Sequence, residues 1–213
     1  MFKNLVTYHI HKRDPLPAND AMAYQYVLAG NGVFVHAETR FFTALLPITS
    51  GTVRGLPPLR PQFQLLVPRI PARLLDAVLA DARRARRPDN GLNEVLYQFH
   101  HHGRAVQVKK PAQQTTPTSV ATSVTTAVAD ADTIICDLHS HGNMRAFFSQ
   151  TDNTDEQGAC LYAVIGKLDS EPEMRLRVGV YGYWLALPLT AVFTNNGPFK
   201  DLYQEKDDDK QRL

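Results

Sequence analysis

The sequence predicts an α/β domain that follows a β-rich N-terminal region. Three observations support this fold class: a hairpin pattern near the N-terminus, one amphipathic helix, and a β-branched strand leading into a cluster of polar residues. Of the 213 residues, 44% are hydrophobic and 21% are charged, so a packed core is feasible. We expect a β-rich region over residues 1–70, an α/β domain over 71–195 and a charged tail over 196–213.

Strand patterns dominate the first 70 residues. Asn31-Gly32 separates two apolar stretches, 24–30 and 33–39, and this pair favours a two-residue hairpin turn because both positions tolerate positive φ. A third strand is predicted over 41–48. Prolines then become frequent, and we place the end of this region at residues 68–71.

Residues 72–87 carry the pattern of an amphipathic helix. Leu75, Val78 and Ala82 fall on one face, and Pro71 stands where a helix tolerates proline. The end of the segment carries four arginines, which suit the negative end of the helix dipole: Arg83, Arg84, Arg86 and Arg87. We interpret them as a solvated helix end, with a phosphate-binding patch as the alternative.

The remainder of the chain alternates strands with one further helix. Strands are expected over 94–102, 104–109, 133–141, 161–165 and 174–183, and a helix over 151–159. The segment 111–132 is rich in Thr, Ser, Ala and Val and predicts an irregular strand with a mobile loop. The acidic run at 207–209 predicts a disordered end.

One histidine pair stands apart from the others. The spacing H-x-H occurs three times among eight histidines, so the spacing alone is uninformative. Only His139 and His141 are followed by seven residues and then Ser149, with Asp152 three positions further. With six Ser and fifteen Asp in the chain, chance would complete this pattern at one H-x-H with a probability of roughly 0.002.

This spacing is suited to a metal. Side chains two apart on a strand point to the same face, so His139 and His141 can direct their nitrogens at one point. The loop that follows can return Asp152 as a third ligand. Two imidazoles and one carboxylate leave Zn²⁺ a fourth position for water, as expected of a catalytic site. Bound zinc would lower the pKa of that water and polarise a carbonyl.

Hydrolysis at such a site needs a general base that does not bind the metal. Only two glutamates, Glu38 and Glu94, precede the motif, and Glu94 opens a predicted strand that could lie beside the histidine strand. Ser149 could donate a hydrogen bond to the developing oxyanion. Asp137 shares a strand face with the histidines and could orient them, or it could be an ordinary strand-end carboxylate.

These residues resemble the signature of the JAMM metalloproteases, also called MPN or JAB-domain proteins: an upstream Glu, then H-[ST]-H-x7-S-x-x-D. Here it reads Glu94, His139-Ser140-His141, Ser149 and Asp152, and the order of elements also matches over about residues 70 to 190. The family usually has Pro after the second His, where this chain has Gly142. More narrowly, the run DLHSHGNMRAFFSQTD is similar to the protein A subfamily of PRTRC cassettes, plasmid-type systems that also encode ubiquitin-like and ThiF-like activating proteins.

The resemblance implies a curved mixed β-sheet flanked by helices, one zinc ion per chain, and cleavage of a peptide or isopeptide bond. It implies that His139, His141 and Asp152 hold the metal, that Glu94 is the base and that Ser149 stabilises the oxyanion. The narrower resemblance implies that the substrate is the C-terminal tail or a conjugate of a ubiquitin-like protein, and that a ThiF/E1-like protein is a partner.

Two other functions compete with hydrolysis. MPN domains also occur as non-catalytic interaction modules, which typically lose a ligand or the Glu, whereas this chain keeps all five positions. RadC-like proteins with the same motif have DNA-associated roles, but a net charge of +2 and the lack of a helix-hairpin-helix pattern weigh against one here.

Other features of the sequence have simpler interpretations. S-x-x-D ahead of a helix is also a capping pattern, so Ser149 and Asp152 could serve the helix instead of a metal. The neighbouring triplet at 100–102 and the pair at 9 and 11 are interpreted as exposed or sheet-edge histidines. Cys136 and Cys160 lack C-x-x-C spacing and fit a reduced protein, and with no secretory signal or membrane-length apolar run we expect a cytoplasmic location.

Overall fold

Two β-sheets make up most of the protein. The structure is a computed structural model that describes residues 4–103, 105–116, 120–122 and 133–204. The first sheet has five strands in chain order: β1 (Val6–Ile10), β2 (Tyr24–Ala29), β3 (Gly32–Glu38), β4 (Phe42–Ser50) and β5 (Gln62–Leu65). Strand β1 pairs parallel with β2, and the other pairs are antiparallel. The three strands expected in this region are confirmed, while β1 and β5 were not predicted.

The second sheet carries the polar motif. Its strands are β6 (Leu96–His102), β7 (Ala105–Lys109), β10 (Ile134–Ser140), β11 (Ala159–Gly166), β12 (Glu173–Val180), β13 (Tyr183–Leu187) and β14 (Lys200–Asp201). Helix α1 (Arg73–Ala82) precedes β6, and helix α2 (Gln150–Asp155) lies between β10 and β11. A separate hairpin is formed by β8 (Gln113–Thr115) and β9 (Val120–Thr122). Strand order is β13-β12-β11-β10-β6-β7, with β14 paired to β12. Because β10 and β11 are parallel and most other pairs antiparallel, the sheet is mixed, which confirms the expected fold class.

The predicted helix over 72–87 is too long. Helix α1 ends at Ala82, and the chain beyond it turns back so that Arg86 forms an isolated β-bridge with Leu92. Arg83 donates from Nε to the Leu168 carbonyl at 2.7 Å, and Arg86 forms an ion pair with Asp169. Arg83 and Arg86 therefore bind acceptors elsewhere in the fold, and helical periodicity does not register these contacts.

Two further boundaries differ from the prediction. The strand expected over 174–183 is a hairpin of β12 and β13, because Tyr181 and Gly182 both adopt positive φ and form a two-residue turn. The helix expected over 151–159 ends at Asp155, since Glu156 leaves the helical region and β11 begins at Ala159. The acidic run at 207–209 lies outside the described residues.

The larger of two buried clusters among the described residues joins the two sheets. It includes Phe42 and Leu46 of β4, Leu75 of α1, and Phe99 and Leu138 of the second sheet, all fully buried. Tyr26 of the first sheet and Tyr183 of the second also share a hydrogen bond of 3.0 Å between their hydroxyl groups. Residues 1–70 therefore supply part of the core on which the second sheet rests. No helix within the described ranges is long and apolar enough to cross a membrane.

Because the two sheets share this core, we predict that a substitution that destabilises the first sheet also lowers the stability of the second. Phe42→Ala should lower the free energy of unfolding by about 3–5 kcal/mol, since it deletes a fully buried ring. The only tryptophan, Trp184, lies in β13, so its fluorescence reports the second sheet during urea unfolding. Leu5→Ala, at a residue that is 66% exposed, is the control and should change stability by less than about 0.5 kcal/mol. An unchanged Trp184 midpoint in Phe42→Ala would contradict the shared core.

Candidate metal centre

The two histidines of the motif lie at the carboxyl end of a central strand. His139 belongs to β10, which pairs on one side with β6 and on the other with β11, and His141 follows directly after the strand. The His141 N–H donates to the Ile165 carbonyl at 2.8 Å, which continues the pairing past the end of β10. Both rings are buried, and their Nε2 atoms are 3.1 Å apart. The sheet therefore fixes both imidazoles with the same nitrogen facing one point.

Asp152 reaches that point from helix α2. Its Oδ1 atom lies 3.3 Å from His139 Nε2, while Oδ2 accepts a hydrogen bond of 2.5 Å from the Ser149 N–H. In return, the Asp152 N–H donates to Ser149 Oγ at 3.2 Å, which completes a capping box at the start of the helix. Capping and ligation, which the sequence poses as alternatives, therefore use different oxygens of one carboxylate.

The donor atoms lie close enough together to bind one metal ion. His139, His141 and Asp152 each offer one ligand atom, and these atoms all lie within 4.8 Å of one another. Ligand atoms about 2.0–2.1 Å from a tetrahedral zinc lie about 3.3 Å apart. The two separations that involve His139, 3.1 Å to His141 and 3.3 Å to Asp152, are close to this value. Within the described part of the chain, this is the only group of three such side chains that could hold a metal.

Burial keeps the histidines in the state that a metal requires. It lowers the pKa of both His139 and His141, although the nearby charge of Asp152 partly opposes this effect. Neutral imidazoles have a lone pair to donate, whereas protonated ones do not. The two rings are therefore suited to bind a cation at neutral pH.

Glu94 lies beside these three residues but is not one of the candidate metal ligands. Its Oε1 atom is 3.9 Å from His141 Nε2, and the residue is buried. Burial, with a smaller effect from the charge of Asp152, raises the pKa of Glu94 to about 7. A bound cation would lower this pKa, because it favours the charged carboxylate. A carboxylate with these surroundings could exchange a proton near neutral pH.

Ser140, at the Ser/Thr position of the H-[ST]-H signature between the two histidines, helps to set the position of Glu94. Its hydroxyl oxygen accepts from the Val95 N–H at 3.1 Å, and its own N–H donates to the Val95 carbonyl at 3.0 Å. The Glu94 N–H donates to the Thr116 carbonyl at 2.9 Å, so the residue just after β8 also holds the Glu94 backbone. Ser140 is fully buried, so water does not compete for the first contact.

Other candidate residues of the sequence are not brought into this cluster. Asp137 lies two residues before His139, and its Oδ1 atom is buried without a hydrogen-bond partner among the described residues, so an orienting role stays a prediction. His100 contacts Thr133, and its ring stacks 6.2 Å from that of His102. Cys136 and Cys160 are free thiols.

The loop between His141 and Ser149 is well fixed. Gly142 has a φ of 56°, which proline cannot adopt, and its carbonyl accepts from the Leu168 N–H at 3.1 Å. Phe147 packs edge-on against the His141 ring at 4.7 Å and is 46% exposed, so it covers part of the site. Gly142 therefore gives the turn a backbone conformation that the usual proline could not adopt.

We predict that purified protein binds about one zinc ion per chain and that Asp152→Asn weakens zinc binding by more than about ten-fold. Asparagine keeps an oxygen that can accept from the Ser149 N–H, so the cap persists while the anionic ligand is lost. Asp155→Asn, in the same helix but exposed, is the matched control. Competition with a chromophoric zinc chelator measures the change. Equal affinities of the wild type and Asp152→Asn would show that Asp152 only caps the helix.

Comparison with known protein families bears on the same residues. Residues 71–179, about half of the chain, match Prok-JAB, described as prokaryotic homologs of the JAB domain. The matched segment includes Glu94, His139, His141, Ser149 and Asp152, and it confirms the JAB/MPN resemblance, while the narrower PRTRC assignment stays a prediction. A search of curated proteins found no match. The chain therefore belongs to the family of prokaryotic homologues of the JAB domain.

Proposed function

We propose that the protein is a zinc-dependent hydrolase that cleaves a peptide or isopeptide bond. The observation that carries this proposal is the placement of Glu94, a buried carboxylate 3.9 Å from His141 Nε2 and beside the donor group of His139, His141 and Asp152. A structural zinc site is closed by four protein ligands, whereas three ligands with a neighbouring base are typical of hydrolases.

Each residue has a distinct part in the reaction. Zinc, when bound by His139, His141 and Asp152, supplies a Lewis acid that polarises the scissile carbonyl and lowers the pKa of water. Glu94 accepts the proton of the attacking water as the new C–O bond forms. As the C–N bond breaks, Glu94 delivers the same proton to the leaving amine, so it ends the cycle as it began.

In this proposal, Ser149 stabilises the negative charge that develops on the carbonyl oxygen. Its Oγ atom accepts from the Asp152 N–H, so its hydroxyl proton can still be donated to another acceptor. The residue is half-buried and adjoins the ligand-bearing helix. Stabilisation of this kind acts mainly on the transition state, so it should appear in kcat.

The proposed substrate is the C-terminal tail or a conjugate of a ubiquitin-like protein, with a ThiF/E1-like protein as partner. Support for this substrate and partner comes from the resemblance to the PRTRC protein A subfamily, and support for cleavage comes from the family, since JAB-domain proteins include metallo-isopeptidases. Retention of all three ligands together with Glu94 and Ser149 favours catalysis over a role as an interaction module only.

We predict that Glu94→Gln lowers kcat for cleavage of a ubiquitin-like fusion by about 10²–10⁴-fold while zinc affinity stays within about two-fold of the wild type. Glutamine has nearly the same shape but cannot accept the proton. Glu38→Gln, the other upstream glutamate and an exposed residue of the first sheet, is the control. Full activity of Glu94→Gln would remove Glu94 from the mechanism. A wild type that holds zinc but cleaves no fusion would favour the interaction module.

For Ser149, we predict that alanine lowers kcat by about 10²–10³-fold, with a smaller change in KM. Alanine also removes the cap, so Ser149→Thr, which restores a hydroxyl group, should recover much of the activity. Steady-state kinetics of both variants test this role. If Ser149→Ala and the wild type share the same kcat, the hydroxyl does not act on the oxyanion.

A further inference from the structure

Helix α2 carries a ligand but has little that holds it in place. It spans only six residues, Gln150–Asp155, and none of them is buried. Helices shorter than about 12–15 residues are marginal by themselves, and most gain stability by packing an apolar face. The capping box fixes the first turn internally, but it does not fix the helix against the sheet. Asp152 can lie 3.3 Å from His139 only if another contact positions the helix.

That contact is made by Arg177 of β12. Its Nη1 atom donates to Asn153 Oδ1 at 2.8 Å, and its Nε atom donates to Glu156 Oε2 at 2.8 Å. Its Nη2 atom also donates to Glu156. One guanidinium group therefore binds both the middle of α2 and the residue that ends it. The side chain is 8% exposed, so water competes little for these donors.

Two aromatic rings hold the guanidinium group. Its Cζ atom lies 3.7 Å from the centroid of Phe148 and 4.7 Å from that of Trp184. Phe148 directly precedes Ser149, the N-cap of α2, and Trp184 belongs to β13. Arg177 thus contacts the chain just before α2, within it and at its end, while its own strand is fixed in the sheet by β11 and β13.

We propose that Arg177 is a positioning residue that holds α2 against the sheet and so keeps Asp152 within ligand distance of the two histidines. This inference rests on the proposed metal site, but not on hydrolysis. Arginine suits the role because its planar group binds two acceptors in fixed directions and stacks on aromatic rings. Lysine would keep the positive charge but would lose the fork and the stacking.

A double-mutant cycle tests the proposal, with the zinc dissociation constant measured by chelator competition. Arg177→Lys should weaken zinc binding by about 10-fold or more, as expected for loss of a group that orients a ligand. In the Asp152→Asn background, Arg177→Lys should have little further effect, because the ligand that it positions is already lost. Arg40→Lys, at an arginine that stacks on the Phe41 ring between β3 and β4, is the control and should leave zinc affinity unchanged.

A positioning role and a general loss of stability give different results in this cycle. Wild-type affinity in Arg177→Lys, or an equal loss in the Asp152→Asn background, would overturn the role, because general destabilisation does not depend on Asp152.

If Arg177→Lys does not fold, Asn153→Ala removes one acceptor and keeps Arg177 in place. That variant should bind zinc several-fold more weakly than the wild type, and unchanged binding would also overturn the role. A wild type that binds no zinc would instead contradict the metal site itself.

Discussion

The carboxylate of Asp152 takes part in two interactions at once. One oxygen accepts from the Ser149 N–H and starts helix α2, and the other faces the histidines. The hydrogen bond fixes the rotation of the carboxylate, which gives the second oxygen a defined direction before any metal arrives. Formation of the helix therefore orients the carboxylate of this candidate ligand, while the contacts of Arg177 hold the helix against the sheet. A ligand that is held in this way loses little conformational entropy when a cation binds.

The sheet supplies the rest of the arrangement. Strands β10 and β11 are parallel, so the chain between them, residues 141–158, must cross from one end of the sheet to the other. That connection begins at His141, directly after β10, and it contains Ser149 and Asp152. On the other side, β6 pairs antiparallel with β10, so the residues just before it, including Glu94, lie at the same end. Topology alone thus gathers residues that are up to 58 positions apart, from Glu94 to Asp152.

Sequence was sufficient to predict the group of candidate ligands because its spacing is a local pattern. His139, His141, Ser149 and Asp152 lie within one strand and the connection after it, and the structure brings both histidines and the aspartate together. Helix α1 was predicted to run too far because its arginines look like a helix end, whereas they bind Leu168 and Asp169. Those acceptors lie about 85 residues away in the sequence, so helical periodicity carries no information about them.

The residues that support the ligands could not be found in the same way. The hydroxyl of Ser140 holds the backbone next to Glu94. Arg177 is buried between two aromatic rings and binds α2. Each acts through partners that are more than twenty residues distant, so only the fold shows what it contacts.

X-ray absorption at the zinc edge identifies the atoms that bind the metal, and every role proposed for this site depends on them. The three-ligand site predicts four nitrogen or oxygen neighbours at about 2.0–2.1 Å, with the outer-shell scattering of two imidazole rings. A sulfur neighbour at about 2.3 Å would place the metal at Cys136 or Cys160 instead, and scattering from three or four imidazoles would not fit a site of two histidines and Asp152. Either result would contradict the proposed metal centre.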